Sequence, residues 1–528
     1  MKPYLIREKA YIPSKNQPYY NQMRIKNSLA NSAYSVVNLL LLTIFKIVYR
    51  TVFIKTLGEE YLGINAAMTN IIAVLSLAEL GFSQAIAYLL YSPLSSKNNG
   101  KTLAYINYFK KIYLYIGLFV IFTGIILLPF LNKIIPANIN STELNIIFIL
   151  FIANSSISYF WSYKRTLIIA DQKNYKIIPT ITLYQAIDLV VKSIVLFLTK
   201  DFIFILLLQL IIKLMENYFV NKKINEIYKI IFSENENILT KKEIKIIKEK
   251  TIATFYHKIG DVFVNNTENI VISAFVGVAI LGVYSNYTML IALLASFVSV
   301  GFNSIISSFG NLIIEKKEKS EENFYIIQLI SIYIFGLIAL NIYTQINSII
   351  YIWIGENYIL SNNIVLLLTI NFFIVGIRMP ILIAKSAGGV FEKDKYAPLC
   401  EGIISLIIAL LLVHRYGIAG VLIGKLIAVV LVPLWIQPYI TYKYIFSSNI
   451  FNYIINICKI LSLFIISLLL SIFVLYYIDI YMISTTLTTL ITKIIIVSII
   501  YSLSFIILNV RNLAFIALTK KIKNLLKM

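Results

Sequence analysis

SLANSAYSVVNLLLLTIFKIVYRTVFI, residues 28–54, decides the fold. Crossing about 30 Å of hydrocarbon takes about 20 predominantly apolar residues in a helix, and this run exceeds that length. Similar runs recur along the chain. Of its 528 residues 59% are hydrophobic and only 14% charged, and the mean hydropathy is +0.82. A soluble domain of that size needs far more polar surface. The sequence therefore reads as an all-α polytopic membrane protein. Residues 1–27 are polar and aromatic, with Pro3, Pro13 and Pro18 and no apolar core, so they do not read as a cleaved signal peptide. Two cysteines, Cys400 and Cys458, and two histidines, His257 and His414, build no disulfide framework and no metal spacing. No Walker motif is present, and no cofactor is expected. The net charge of +22 is in such a chain a topology signal, not a nucleic-acid one.

Outward from residues 28–54, the length criterion gives about fourteen spans. The first six fall near 28–54, 62–91, 104–131, 144–163, 177–199 and 201–221. Six more fall near 251–275, 279–310, 324–350, 361–384, 396–413 and 417–442, and two near 453–477 and 483–509. One set of alternate loops, with both tails, carries about 34 cations against about 4 in the other set, which predicts both termini on the cytoplasmic side. The expected organisation is a cytoplasmic tail (1–27), a six-helix bundle (28–221), a basic linker loop (222–250), a second six-helix bundle (251–446), two further helices (447–510) and a basic tail (511–528). The linker is expected to hold topology and lie on anionic headgroups.

The halves on either side of the linker resemble each other faintly. YLGINAAMTNIIAVLSLAELGFSQAIA begins at Tyr61 and ILGVYSNYTMLIALLASFVSVGFNSII at Ile280. Leu62-Gly63 matches Leu281-Gly282, and Thr69 matches Thr288. Transporters carry such internal symmetry when two bundles enclose a central site.

About nine cations remain inside spans, at a cost of about 2.5–3.5 kcal/mol each at a helix centre. Lys213 and Lys459 lie near cytoplasmic ends and are expected to snorkel, Lys213 with Glu216 one turn away. Asp188 and Lys192 are spaced to neutralise each other. Lys46 and Arg50 differ, because they share a helix face and a sign, with no acid within a turn. Either another helix brings a carboxylate (Glu79, Asp261 and Glu268 qualify) or the counter-ion is a ligand. Residues 255–273, FYHKIGDVFVNNTENIVIS, form the most polar span. His257, Asp261, Asn265 and Glu268 make one stripe, flanked by Lys258, Asn266 and Asn269. It reads as a buried polar network or a hydrophilic cavity wall, since lipid tolerates neither.

Residues 57–94 and 267–312 resemble the first two and the seventh and eighth spans of bacterial polysaccharide flippases, in the multidrug/oligosaccharidyl-lipid/polysaccharide (MOP) superfamily. WIGENYIL (353–360) and YGIAGVLIGKLI (416–427) add weaker similarity. The resemblance implies two pseudo-symmetric six-helix bundles around a central cavity, plus two C-terminal helices. It also implies a non-enzymatic job: moving an oligosaccharide on undecaprenyl pyrophosphate across the bacterial cytoplasmic membrane by alternating access. On that reading Lys46, Arg50 and Lys258 bind pyrophosphate, and Asn265, Asn266 and Asn269 contact sugar. Asp261, Glu268 and Glu79 are then candidates for ion coupling. The expected partners are the lipid-linked substrate, membrane lipids, and a polysaccharide polymerase and glycosyltransferases; nucleic acid is not among them. Competing readings are a lipid II-type flippase, a cation-coupled multidrug or toxin exporter, which its cation-rich interior disfavours, and a membrane polymerase or ligase, for which the outer loops are short.

Overall fold

The computed structural model describes residues 17–76, 82–235, 237–315, 317–446, 448–481 and 486–525. Among them there are helices and turns and no strand. In chain order the helices are α1 (Gln17–Leu75), α2 (Phe82–Ser95), α3 (Asn99–Leu127), the one-turn α4 (Leu131–Ile134), α5 (Ser141–Ala170), α6 (Ile178–Thr199) and α7 (Phe202–Ile227). A second one-turn helix, α8 (Lys229–Phe232), leads to α9 (Lys241–Phe275), α10 (Val278–Glu315), α11 (Lys317–Ile354) and α12 (Asn362–Gly388). The chain ends with α13 (Ala397–Tyr416), α14 (Ile418–Leu431), α15 (Pro433–Thr441), α16 (Phe451–Tyr481), α17 (Leu487–Asn509) and α18 (Leu513–Leu525).

Local chemistry sets the ends. Asn98 and Asn140 cap α3 and α5 through their side chains, as expected of short amides at helix starts. The tight break between α6 and α7 holds: Lys200 adopts a left-handed conformation, and Asp201 accepts from the Phe204 N–H at 3.1 Å. Thr240 and Glu243 form a reciprocal capping box that starts α9. The segment 222–250 is accordingly more helical than the loop expected from its charge, with α7 extending into it and α9 beginning before its end.

Twelve helices, among the described residues, are long and apolar enough to cross a membrane. The first covers 43 residues, about 65 Å of helix and twice a bilayer core. It contains a break at Gly58 (φ 79°), a left-handed geometry that glycine adopts without a Cβ penalty. Residues 28–54 and 62–75 are therefore two limbs, separate as expected, although no loop divides them. Helix α9 carries the polar stripe of residues 255–273. It packs against α1, α2, α10, α13 and α14, neighbours that keep a polar helix from lipid. The lipid-facing surfaces are apolar stripes such as Tyr115, Leu118, Phe119, Phe122 and Ile126 on α3, all exposed and helically spaced. The chain is an all-α multi-pass membrane protein. Of the C-terminal helices, α16 and α17 pack on α11, where Tyr501 donates to the Ile332 carbonyl at 2.8 Å.

One crossing relates the two halves. A Cβ on Gly63 would meet the Val278 carbonyl far inside van der Waals contact, and one on Gly282 would meet the Glu59 carbonyl likewise. Each glycine thus faces the residue four before the other. Five residues before each lies a glycine at positive φ, Gly58 and Gly277. The LG pair of the sequence repeat is therefore where α1 and α10 touch backbone to backbone, the close approach that small residues permit in membranes.

Candidate functional site

Arg50 lies eight residues before the Gly58 break, about 12 Å along the helix. It donates from Nε to Asn286 Oδ1 at 2.9 Å and from Nη2 to Ser285 Oγ. Both partners stand on α10, one turn past Gly282. No carboxylate lies in ion-pair distance of Arg50 among the described residues, and its acceptors are neutral. The guanidinium carries five N–H donors and two are used here. Asn286 is fully buried and its Nδ2 has no partner among the described residues. The spot is rich in donors and short of an acceptor, which is the electrostatic condition for holding an anion. Trp353 Nε1 donates to Thr51 Oγ1 at 2.8 Å and ties α11 to the next residue of α1.

Lys46, one turn before Arg50, is exposed and unpaired among the described residues. Glu268 does not serve as counter-ion to Arg50. It pairs with Lys425 of α14 at 2.8 Å and accepts from the Tyr284 hydroxyl. The pair gives Lys425, a lysine inside an apolar run, a carboxylate partner. Glu79 lies outside the described residues. Lys258, Asp261 and Asn265 are placed on α9, and their side chains lie outside what is described. Asn266 and Asn269 flank Glu268 on α9 and are half-buried.

The remaining internal cations are mostly neutralised locally. Lys192 pairs with Asp188 at 2.6 Å and bonds Gln209 at 3.2 Å. Glu216 takes Lys213 at 3.0 Å and Arg165 at 2.8 Å. Arg378 meets Glu401 at 3.2 Å, and buried Lys385 meets Asp394. Ser285, Asn286 and Tyr284 were not singled out from sequence. Their signal was present: three consecutive polar-capable residues inside an apolar repeat whose first-half counterparts, Asn65, Ala66 and Ala67, differ.

No protein-family description matches this chain, and no curated protein matches it. Solved structures do. A lipid II flippase, MurJ, in an inward closed conformation superposes with a TM-score of 0.62 at 15% identity, covering 92% of this chain and 99% of its own. A multidrug resistance MATE family transporter of the MOP superfamily, inward-facing, has a TM-score of 0.62 at 13% identity, covering 78% and 98%. A MOP superfamily transporter from Pyrococcus furiosus has a TM-score of 0.53 at 14% identity, covering 81% and 97%. The chain therefore has the fold shared by MOP-superfamily transporters and flippases.

Proposed function

We propose that this protein flips an oligosaccharide carried on undecaprenyl pyrophosphate across the cytoplasmic membrane of a bacterium, for surface polysaccharide synthesis. The observation that carries the reading is Arg50, an intramembrane cation whose hydrogen bonds, among the described residues, go to a neutral amide and a hydroxyl. A cationic drug gains nothing from such a site, whereas a pyrophosphate supplies the acceptors it lacks. Coverage supports the same direction. The lipid II flippase matches nearly the whole chain, the MATE transporter about four-fifths of it. In the Pyrococcus furiosus transporter a reverse polarity of the binding pocket suggests a different function, which agrees with pocket charge selecting cargo on this fold. A lipid II-type flippase is the second reading, favoured by that coverage and by the pyrophosphate chemistry both substrates share.

In this reading residues 28–221 and 251–446 are two bundles that rock about a central cavity, with both termini cytoplasmic. Lys46, Arg50 and Lys258 bind the pyrophosphate, and Asn265, Asn266 and Asn269 contact sugar. Asp261, Glu79 and Glu268 are the coupling carboxylates, Glu268 by exchanging its Lys425 partner for an ion or proton. The partners are the polymerase and glycosyltransferases that use and supply the glycan. The test is complementation of a strain lacking its polysaccharide flippase. Wild type restores surface glycan and Lys46→Ala/Arg50→Ala, at equal membrane abundance, does not. Normal glycan from the double variant removes the pyrophosphate role from these residues.

A further inference from the structure

Helix α5 and the α7–α8 stretch, whose C-terminal ends lead into the basic segments 164–176 and 222–250, line a groove of about 620 Å³. Neither helix contributes a side chain to the Arg50 cluster. Three lysines line the groove, Lys164 from α5 with Lys222 and Lys229 from the α7–α8 stretch. A single acid, Glu226, opposes them. None of these four groups forms an ion pair among the described residues. Lys164 donates to Asn225 Oδ1 at 2.8 Å and stands 5.1 Å from the Phe232 ring centroid, so a neutral amide and an aromatic face hold it in place.

The face of α7 leading into the groove changes character along its length. Ile211, Met215 and Tyr218 are exposed and share one side of the helix. The same side continues through Lys222 and Asn225, and Lys229 follows at the start of α8; all three are exposed. An apolar strip suited to acyl chains thus runs directly into a basic pocket. Trp161 and Tyr218 line the junction, where amphipathic rings settle at headgroup level. Basic pockets between helices on the cytoplasmic side are built for anionic headgroups.

The geometry points to a binding site for an anionic phospholipid, its phosphate held by Lys164, Lys222 and Lys229 and its chains lying on the strip from Ile211 to Tyr218. The shared chemistry is a phosphate, and the chains distinguish the lipid from free phosphate. The site lies on the lipid-facing side of α5 and α7, apart from the Arg50 cluster, and does not depend on what the protein transports.

The experiment measures lipid binding to the purified full chain in detergent by native mass spectrometry. The probes are phosphatidylglycerol, phosphatidylcholine with the same chains, and inorganic phosphate. Wild type is expected to prefer phosphatidylglycerol. Lys164→Gln/Lys222→Gln/Lys229→Gln should weaken that binding on the order of 100-fold, about fivefold per lysine, and leave phosphatidylcholine unchanged. A control, Lys241→Gln/Lys245→Gln/Lys319→Gln, should bind as wild type. Should the pocket triple fail to fold, Lys222→Glu on its exposed turn replaces it, with an expected loss of about tenfold or more. Unchanged preference in the pocket variant, or an equal loss in the control, overturns the site. Phosphate displacing phosphatidylglycerol at equal concentration overturns the lipid assignment.

Discussion

Replacing Gly282 or Gly63 by alanine should pry α1 and α10 apart at their crossing. An added Cβ on Gly282 would lie 3.0 Å from the Gly63 nitrogen as well as inside the Glu59 carbonyl, and one on Gly63 would lie 2.9 Å from Val278 Cγ1 as well as inside the Val278 carbonyl. The closest obstacles are backbone atoms, which cannot swing away as a side-chain tip can. Overpacking of this kind costs about 1–3 kcal/mol. The cost falls on the conformation in which the helices are crossed and vanishes when they separate. At about 1.4 kcal/mol per decade, each substitution should shift the closed-to-open equilibrium by about 5- to 150-fold. The two glycines occupy one contact, so the double variant should fall short of the sum. The assay uses Thr288→Cys, six residues past Gly282, in a background of Cys400→Ala and Cys458→Ala, two exposed free thiols. An impermeant maleimide added from the outer side should label it slowly in the parent and faster, by that factor, in either glycine variant. Labelling within about twofold of the parent in both, with melting profiles intact, would refute a crossing that holds α1 and α10 together at Gly63 and Gly282.

Three further outcomes are expected. Glu268→Gln leaves Lys425 without its carboxylate and should destabilise the protein by about 3–5 kcal/mol, read as a fall in melting temperature; Glu268→Gln/Lys425→Met should recover most of it, and a double variant as unstable as the single would refute the pairing. Glu243, before the membrane region, is held below the usual carboxylate range chiefly by its hydrogen bond from Lys101, with which it pairs at 2.5 Å. Its folded pKa is depressed, so its contribution is present above the ordinary carboxylate pKa of about 4.3 and is lost as pH falls through the folded value. Wild type should therefore exceed Glu243→Gln in stability by on the order of 1 kcal/mol or less, evenly from pH 8 to 6, with the gap closing below about pH 4; a gap that widens on acidification would contradict the pair. Arg50→Lys keeps the charge but loses the fork that reaches Ser285 and Asn286 together, so surface glycan should drop less than in Arg50→Gln and more than in wild type.

Much of the architecture was legible because it depends on local physics. Apolar length marked the spans, and one-turn spacing paired Asp188 with Lys192 and Lys213 with Glu216, which the structure bears out at 2.6 and 3.0 Å. The repeat pointed at Gly63 and Gly282, yet their use did not follow from it. A glycine's value at a crossing belongs to the opposing backbone, and nothing in one helix names the other. The partner of Lys425 was not legible for the same reason: its acid stands 157 residues away. Arg50 was read as needing a carboxylate or a ligand, and the amide it meets is 236 residues away. The separation of 28–54 from the next span held, but its form was not legible: a single residue at positive φ, Gly58, parts the two limbs without a loop. The linker was read as loop from its lysines, but the Thr240–Glu243 capping box and the Lys101 contact organise its end into helix.

In the proposed function Arg50 serves a pyrophosphate. Its most direct test is flipping in proteoliposomes, with a fluorescent undecaprenyl-pyrophosphate saccharide and its monophosphate analogue, scored by an impermeant quencher. Wild type should move the pyrophosphate lipid and discriminate against the monophosphate. Arg50→Gln should lose both the transport and the discrimination at unchanged melting temperature. Equal transport of the pyrophosphate lipid by Arg50→Gln would contradict the claim, as would a wild-type protein that moves neither lipid and extrudes a cationic dye instead.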